Sequence, residues 1–332
     1  MKYTDEQLNE AVKNNIFSME QINNFKEFVQ NNNGQVTKFQ KVLYYGGGLL
    51  IISAMTWLTI SSWDNFGQIG MTTISALYFI IFLLAGYFVF YKKNMEIAGG
   101  LLFSVSIAVV PLFVYSLLRV FDFWPQQWSG KWIILEISII VIALPILFKT
   151  KFPFLVFLIA VSLWFLSMDI VPLIYKKTNI TWTERAFISN IFGLLMISIG
   201  YFADIKFKKD YAFWMYLFGL ITLSSGLSIF YNDNTLKLIL LGIISVLFIL
   251  FSLFINRNGF LVFGTIGLIQ LLTRLSWVFF KGSILFPLAL TVIGVLLILM
   301  GIYFQKNRKR IQENNINKLP LFILNLRPKR DT

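Results

Sequence analysis

The chain has 332 residues and a formal net charge of +13, and it is 57% hydrophobic but only 14% charged. Because soluble domains average about 25% charged residues, this composition excludes an ordinary soluble protein. The chain contains no cysteine and no histidine. That excludes disulfides, thiol nucleophiles, Cys/His zinc sites, haem histidines and Ser-His-Asp triads, and we predict no metal site and no cofactor.

Residues 1–37 predict a cytoplasmic pair of short helices. In the first helix, Leu8 and Val12 fall at helical spacing. Ser18 and Gln21 stand three residues apart and form a capping box that opens the second helix. Two helices of this length bury too little surface to be stable alone. We therefore expect the pair to dock on the membrane domain or on a partner.

Ten apolar segments fill most of the chain from Val42 to Phe304, and no cleavable signal peptide is recognisable before them. A hydrocarbon core about 30 Å thick needs ~20 mostly apolar residues per helix. We predict an all-α polytopic membrane protein with a membrane domain at residues 38–304 and a basic cytoplasmic tail at residues 305–332. The predicted spans are 42–61, 70–91, 97–118, 132–148, 152–171, 186–203, 211–231, 236–255, 259–280 and 284–304.

The distribution of Lys and Arg predicts the orientation. An even number of spans places both termini on one side, and Lys/Arg excess marks the cytoplasmic side. With both termini inside, the inner segments hold 21 Lys/Arg and the outer loops hold seven, although the two tails produce most of this difference. We therefore expect both termini in the cytoplasm.

Charged side chains inside spans are costly, so they are candidates for function. Three such residues, Glu136, Asp169 and Arg274, fall in the outer half of the predicted topology. Four further polar residues fall in the same half: Gln270, Asn190, Tyr115 and Arg119. We predict from this set an outward-facing polar cavity, or an ion pair between helices.

Arg274 leaves three interpretations open. It lies on one helix face with Gln270, and in the first interpretation it binds an anionic group in the cavity or pairs there with Glu136. In the second, a buried Arg274–Glu136 pair only fixes helix packing. In the third, the Arg274 side chain reaches to the membrane surface.

Two further regions predict contacts at the membrane surface. Trp63 and Asp64 follow the first span at the outer interface, where they belong either to an aromatic belt or to a lid over a lipid or glycan. The basic cluster 306–310 follows the last span, and we expect the tail either to contact anionic lipid at the inner leaflet or to dock on the amino-terminal helices. No nucleic-acid-binding motif is present.

The amino-terminal half resembles a known group of proteins. Phe17-Ser-Met-Glu-Gln21 precedes Tyr45-Gly-Gly-Gly-Leu-Leu-Ile-Ile-Ser53, and Ser62-Trp63-Asp64 and Gly99-Gly100-Leu-Leu follow. This order, up to about residue 148, is similar to the bacterial predicted membrane proteins grouped as domain of unknown function 2157. Its members often carry Asn-Trp where this chain has Ser62-Trp63. The resemblance implies a bacterial cytoplasmic membrane protein and implies no activity.

Three functions are compatible with the sequence. In the first, the protein binds or translocates a small solute or lipid through the cavity at Arg274, Glu136 and Gln270. In the second, it is a non-catalytic scaffold or sensor whose amino-terminal helices and basic tail bind a partner. In the third, it is an enzyme on a lipid-linked substrate with Glu136 or Asp169 as base, although no motif supports that chemistry.

Overall fold

The computed structural model describes residues 8, 10–12, 14, 16–32, 38–125, 130–177, 179–207, 209–230 and 235–280, with scattered positions between 285 and 306. The regular secondary structure of these residues is entirely helical. The chain divides into two compact units, Met1–Ala54 and Met55–Thr332.

Ten α-helices are numbered here in chain order within the described residues. Their bounds are α1 Met19–Asn32, α2 Lys38–Tyr87, α3 Glu96–Val120, α4 Ile133–Thr150, α5 Leu155–Asp169, α6 Val171–Tyr175, α7 Trp182–Lys206, α8 Ala212–Phe230, α9 Thr235–Ile255 and α10 Asn258–Phe280. A short π-helix, Phe88–Lys92, follows α2.

The predicted capping box at the start of α1 is confirmed. The Ser18 hydroxyl accepts from the Gln21 N–H at 3.1 Å, and the Gln21 side chain accepts from the Ser18 N–H at 2.9 Å. Ile22 in the first turn is buried. Of the other predicted helix of this pair, only a few positions, including Leu8, lie within the described residues, and they are helical.

Helix α2 and the π-helix that follows it cover the first two predicted spans. Its backbone is interrupted at Gly67, where φ is 61° and ψ is −165°. A positive φ is costly for residues with a Cβ, so glycine suits this break. The interruption lies between residues 61 and 70, where the sequence predicts that one span ends and the next begins.

Seven described helical segments are long and apolar enough to cross a membrane. They are Phe66–Lys92, Glu96–Val120, Ile133–Thr150, Leu155–Tyr175, Trp182–Lys206, Ala212–Ile229 and Asn258–Ser276. Two shorter apolar segments, Val42–Met55 and Leu238–Ser252, match further predicted spans. The tenth predicted span, 284–304, lies largely outside the described residues, so the count of ten stays a prediction.

Helices α7 and α8 form a closely packed antiparallel pair. Glycines make this approach possible, because a Cβ at Gly193 would come within 2.7 Å of the Leu223 backbone N and 2.9 Å of the Gly219 carbonyl oxygen. Helices α9 and α10 form a second hairpin, in which Gly264 and Gly267 pack against Ser245. Small residues allow such close contact between apolar helices.

The two hairpins meet where α10 packs on α8. We call one end of these four helices the Arg274 end. It contains the starts of α7 and α9 and the ends of α8 and α10. The α7–α8 loop and the α9–α10 turn form the opposite end, which we call the Arg257 end. Apolar clusters around Leu220 and Leu223 fill the space between the two ends.

Candidate functional site

A cavity of about 590 Å³ lies at the Arg274 end, among the four helices α7–α10. One part of its wall is polar and comes mainly from α10, while α8 and α9 contribute aliphatic side chains. The polar lining residues are Thr183, Ser228, Gln270, Thr273 and Arg274, and the apolar ones are Trp182, Ile229, Leu238, Leu241 and Ile269.

Arg274 and Gln270 stand one turn apart on α10 and both line this cavity. The Ser228 hydroxyl lies 2.9 Å from Gln270 Oε1, so a hydrogen bond ties α8 to α10 at the cavity wall. Arg274 is exposed. Within the described part of the chain, no Asp or Glu side chain lies within ion-pair distance of its guanidinium. The structure thus brings two of the predicted residues together and leaves the Arg274 charge facing the cavity.

Asn190 on α7 has a different environment. Its Oδ1 is buried, lies over Gly226 of α8, and has no hydrogen-bond donor among the described residues. It is not among the residues that line the cavity. In this structure Asn190 therefore belongs to the interface between α7 and α8.

Glu136 and Asp169 form a separate pair. Glu136 is buried in α4, where its Oε2 has no hydrogen-bond partner among the described residues, and Asp169, the last residue of α5, is a neighbouring carboxyl group. None of the ion pairs in the described ranges joins Glu136 to Arg274.

Tyr115 lies at the end of α3 in an aromatic cluster. Its ring centroid is 4.7 Å from that of Trp124 and 6.3 Å from that of Trp132. Arg119, one turn further along α3, has a buried Nε without a hydrogen-bond partner among the described residues. Aromatic residues of this kind are typical of the membrane–water interface.

The predicted surface residues are described only in part. The backbone of Trp63 and Asp64 lies within α2, which continues to the break at Gly67, while their side chains lie outside the described residues. The basic cluster 306–310 also lies outside them, apart from the helical position Lys306.

The most extensive polar contact of the described residues lies at the Arg257 end and was not among the residues predicted from the sequence. Arg257, in the turn between α9 and α10, donates to both carboxylate oxygens of Asp204 near the end of α7, at 3.2 and 2.9 Å. It also donates to both carboxylate oxygens of Asp210 in the α7–α8 loop, at 2.9 and 2.6 Å. Bidentate pairs of this kind are stronger and more directional than ordinary hydrogen bonds.

The local backbone positions Arg257 for these contacts. Asn256 adopts a left-handed conformation with φ of 60°, which ends α9 sharply. The Ser252 hydroxyl donates to the Arg257 carbonyl at 2.8 Å and holds the turn. The guanidinium lies 5.5 Å from the centre of the Tyr216 ring, a cation–π distance.

The loop that carries Asp210 is held from the other side as well. The Tyr211 hydroxyl donates to the Lys151 carbonyl at 2.9 Å, and the Lys209 ammonium donates to the same oxygen at 3.2 Å. The Arg257 end is therefore linked by hydrogen bonds from the α4–α5 loop to the α9–α10 turn.

Comparison of the chain with known protein families, with curated proteins and with solved structures finds no match. The resemblance to domain of unknown function 2157 stays a prediction based on the residues quoted above.

Proposed function

We propose that the protein is a bacterial inner-membrane protein that binds or translocates a small anionic ligand through the cavity at the Arg274 end. The observation that carries the proposal is the position of Arg274: a cation on a membrane-length helix, facing a cavity without a carboxylate partner among the described residues. Ionisable residues in such helices are costly and usually serve a ligand or a partner charge.

The shape and lining of the cavity support a ligand with an anionic group. Its volume of about 590 Å³ falls in the range of sites for small molecules, ~300–1,000 Å³. A guanidinium recognises phosphate or carboxylate through paired hydrogen bonds. The amide of Gln270 and the hydroxyl of Thr273 add neutral donors beside it.

The apolar part of the lining supports a ligand that also has an apolar part. Leu238, Leu241 and Ile269 line it, and Trp182 stands beside them, 74% exposed. Tryptophan is typical of positions where apolar and aqueous surroundings meet. The ligand class is therefore an anionic phosphate or carboxylate group, carried either by a lipid or by a free solute.

The predicted topology places the Arg274 end on the outer side of the membrane. Both tails and the Lys-rich loops then lie in the cytoplasm, in agreement with the positive-inside rule. This orientation makes the cavity an entrance from the outer side.

The test is binding of defined lipids to the purified protein, measured by native mass spectrometry. We compare phosphatidylglycerol with phosphatidylcholine for the native chain and for R274Q. We expect R274Q to weaken phosphatidylglycerol binding about tenfold to a hundredfold, since a hydrogen bond to a charged group contributes ~1.5–3 kcal/mol and each ~1.4 kcal/mol is a factor of ten.

Lys176 offers a matched control. It is an exposed cation in the loop before α7, does not line the cavity, and has a φ of 52° that asparagine tolerates. K176N should bind phosphatidylglycerol like the native chain. Equal binding by R274Q and the native chain would refute the proposal. Competition with free glycerol phosphate distinguishes the two sources, because it displaces the lipid only if the site accepts the free anion.

A further inference from the structure

Three loops that carry lysine meet at the Arg257 end. The Lys209 ammonium, in the α7–α8 loop, donates to the carbonyl of Lys151 in the α4–α5 loop at 3.2 Å. The same ammonium lies 3.7 Å from the carboxylate of Glu96, which begins α3 after the connection from α2. These contacts join three loops that are far apart in the sequence.

Apolar packing holds the same loops together. A Cβ at Gly100, in the first turns of α3, would overlap the ring of Phe152 in the α4–α5 loop. The ring of Phe154, at the start of α5, lies 5.7 Å from that of Trp214 at the start of α8. The relative positions of the loops are therefore fixed by side-chain packing as well as by polar contacts.

The carboxylates near these loops leave most of the lysine charge without a partner. Arg257 holds Asp204 and Asp210, and Lys209 holds Glu96. No other lysine of the three loops has an Asp or Glu within ion-pair distance in the described part of the chain. We call the exposed lysines of these loops the lysine face, and they are Lys92, Lys93, Lys149, Lys151, Lys206 and Lys209.

The lysine face lies where helices of membrane length end. The segments Phe66–Lys92 and Trp182–Lys206 each end at one of its lysines. The segment Ile133–Thr150 ends between two more of them. Exposed aromatic side chains stand next to these lysines in the sequence, namely Tyr91, Phe148 and Phe207. Aromatic and lysine side chains together are typical of the level of the lipid headgroups.

We propose that the lysine face binds the phosphate groups of anionic phospholipids in the leaflet at this end. Each ammonium is a compact charge with three donors, which suits phosphate oxygens. The position at helix ends favours lipid over an acidic protein segment, because lipid phosphates are the anions at that depth. The site goes beyond the proposed function and is separate from the Arg274 cavity, which lies at the other end of the helices.

Lys151 and Lys176 form a matched pair for the test. Lys151 ends α4 and Lys176 ends α6, each with a φ of 52°, and both are exposed. Lys176 precedes α7 and so lies away from the lysine face, and its neighbour Lys177 is paired with Glu184. Asparagine tolerates this φ. K151N and K176N therefore each remove one charge from the same kind of backbone position.

The test is native mass spectrometry of the purified protein with phosphatidylglycerol and with phosphatidylcholine. All variants carry R274Q, so that the Arg274 cavity contributes equally to each measurement. We expect K151N to lower the affinity for phosphatidylglycerol about fivefold, since one lysine near the headgroups contributes about that factor. K176N should leave the affinity unchanged. K149Q/K151N/K206Q should lower it further, and none of these variants should alter binding of phosphatidylcholine.

Two outcomes would overturn the proposal. If K151N and K176N lower the affinity for phosphatidylglycerol equally, the lipid responds to total charge and not to the lysine face. If K149Q/K151N/K206Q binds phosphatidylglycerol as well as R274Q alone does, these lysines act only on topology. Because every variant already lacks Arg274, a failure of the cavity proposal leaves this result interpretable, and a failure here leaves the cavity proposal intact.

Discussion

Arg257 and Arg274 occupy opposite ends of the same helical hairpin and differ in their surroundings. Arg257 makes four hydrogen bonds to two carboxylates and is almost buried. Arg274 is exposed in a cavity and has no carboxylate within reach in the described ranges. The comparison shows that two arginines, each near the end of an apolar helix, can have different roles. A partnered one holds helices together, and an unpartnered one is available to a ligand.

The largest effect is expected at the partnered end. Replacing Arg257 by leucine leaves the buried Asp204 carboxylate without its partner, which costs about 3–5 kcal/mol. The free energy of unfolding in mixed micelles measures this loss. The double variant R257L/D204N should recover part of it, because the uncompensated charge is then gone. An unchanged stability in R257L would show that the network contributes nothing to holding this end.

The second largest loss of stability is expected where α7 packs on α8, along the length between the two ends. A Cβ at Gly226 would overlap Asn190 Oδ1 and lie 2.9 Å from the Ala186 carbonyl oxygen. G226A should therefore destabilise the protein by about 1–3 kcal/mol, the usual cost of overpacking.

Gly48 provides the control for this substitution. No described atom lies within 4 Å of the position that its Cβ would occupy. G48A should be neutral or stabilising by up to ~1 kcal/mol, because alanine favours a helix over glycine. Equal destabilisation by G226A and G48A would contradict the close approach of α7 and α8.

A smaller effect on stability is expected at the unpartnered end. R274L removes an exposed side chain without a described ionic partner, so the free energy of unfolding should change by no more than about 0.5 kcal/mol. The free energy of unfolding in mixed micelles measures this change. A loss comparable to that of R257L would mean that Arg274 holds the structure together, and the comparison of the two ends would fail.

An effect of similar, small size is expected for an exposed ion pair at the Arg257 end. Glu96 and Lys209 lie 3.7 Å apart and are both exposed. E96Q should cost about 0–1 kcal/mol, and the cost should disappear at high salt. If E96Q lost as much stability as R257L, and lost it at any salt concentration, the exposed Glu96–Lys209 pair would contribute as much as the contacts of Arg257. The difference in exposure would then not explain their strengths.

The helices of the membrane domain could be predicted from sequence because apolar length is a local property. The segment 97–118 was predicted within two residues of the helix Glu96–Val120, since a span needs only consecutive apolar residues. The capping box at Ser18 was predictable for a similar reason, because its two partners lie three residues apart. The break in α2 was predicted between residues 61 and 70, and Gly67 has the positive φ that interrupts the helix.

The candidate site was predictable only in part. Gln270 and Arg274 share a helix face by their spacing, and both line the cavity. The structure places Glu136 near Asp169, and neither residue lines that cavity, because contacts between helices depend on how each helix rotates against its neighbours. Arg257 was counted only as a loop charge. A signal for it was present, an arginine in a two-residue turn between apolar helices, but nothing local indicates which carboxylate it reaches.

The sequence by itself determined that this chain forms apolar helices of membrane length, without cysteine or histidine chemistry, because those properties depend on composition and on short-range spacing. Only the tertiary structure decided which charges meet. Asp204 and Arg257 are 53 residues apart in the chain, and they are brought together by the glycine-mediated packing of α7 on α8 and by the sharp turn at Asn256. The contrast between the two arginines therefore arises from packing between helices, which local sequence patterns do not encode.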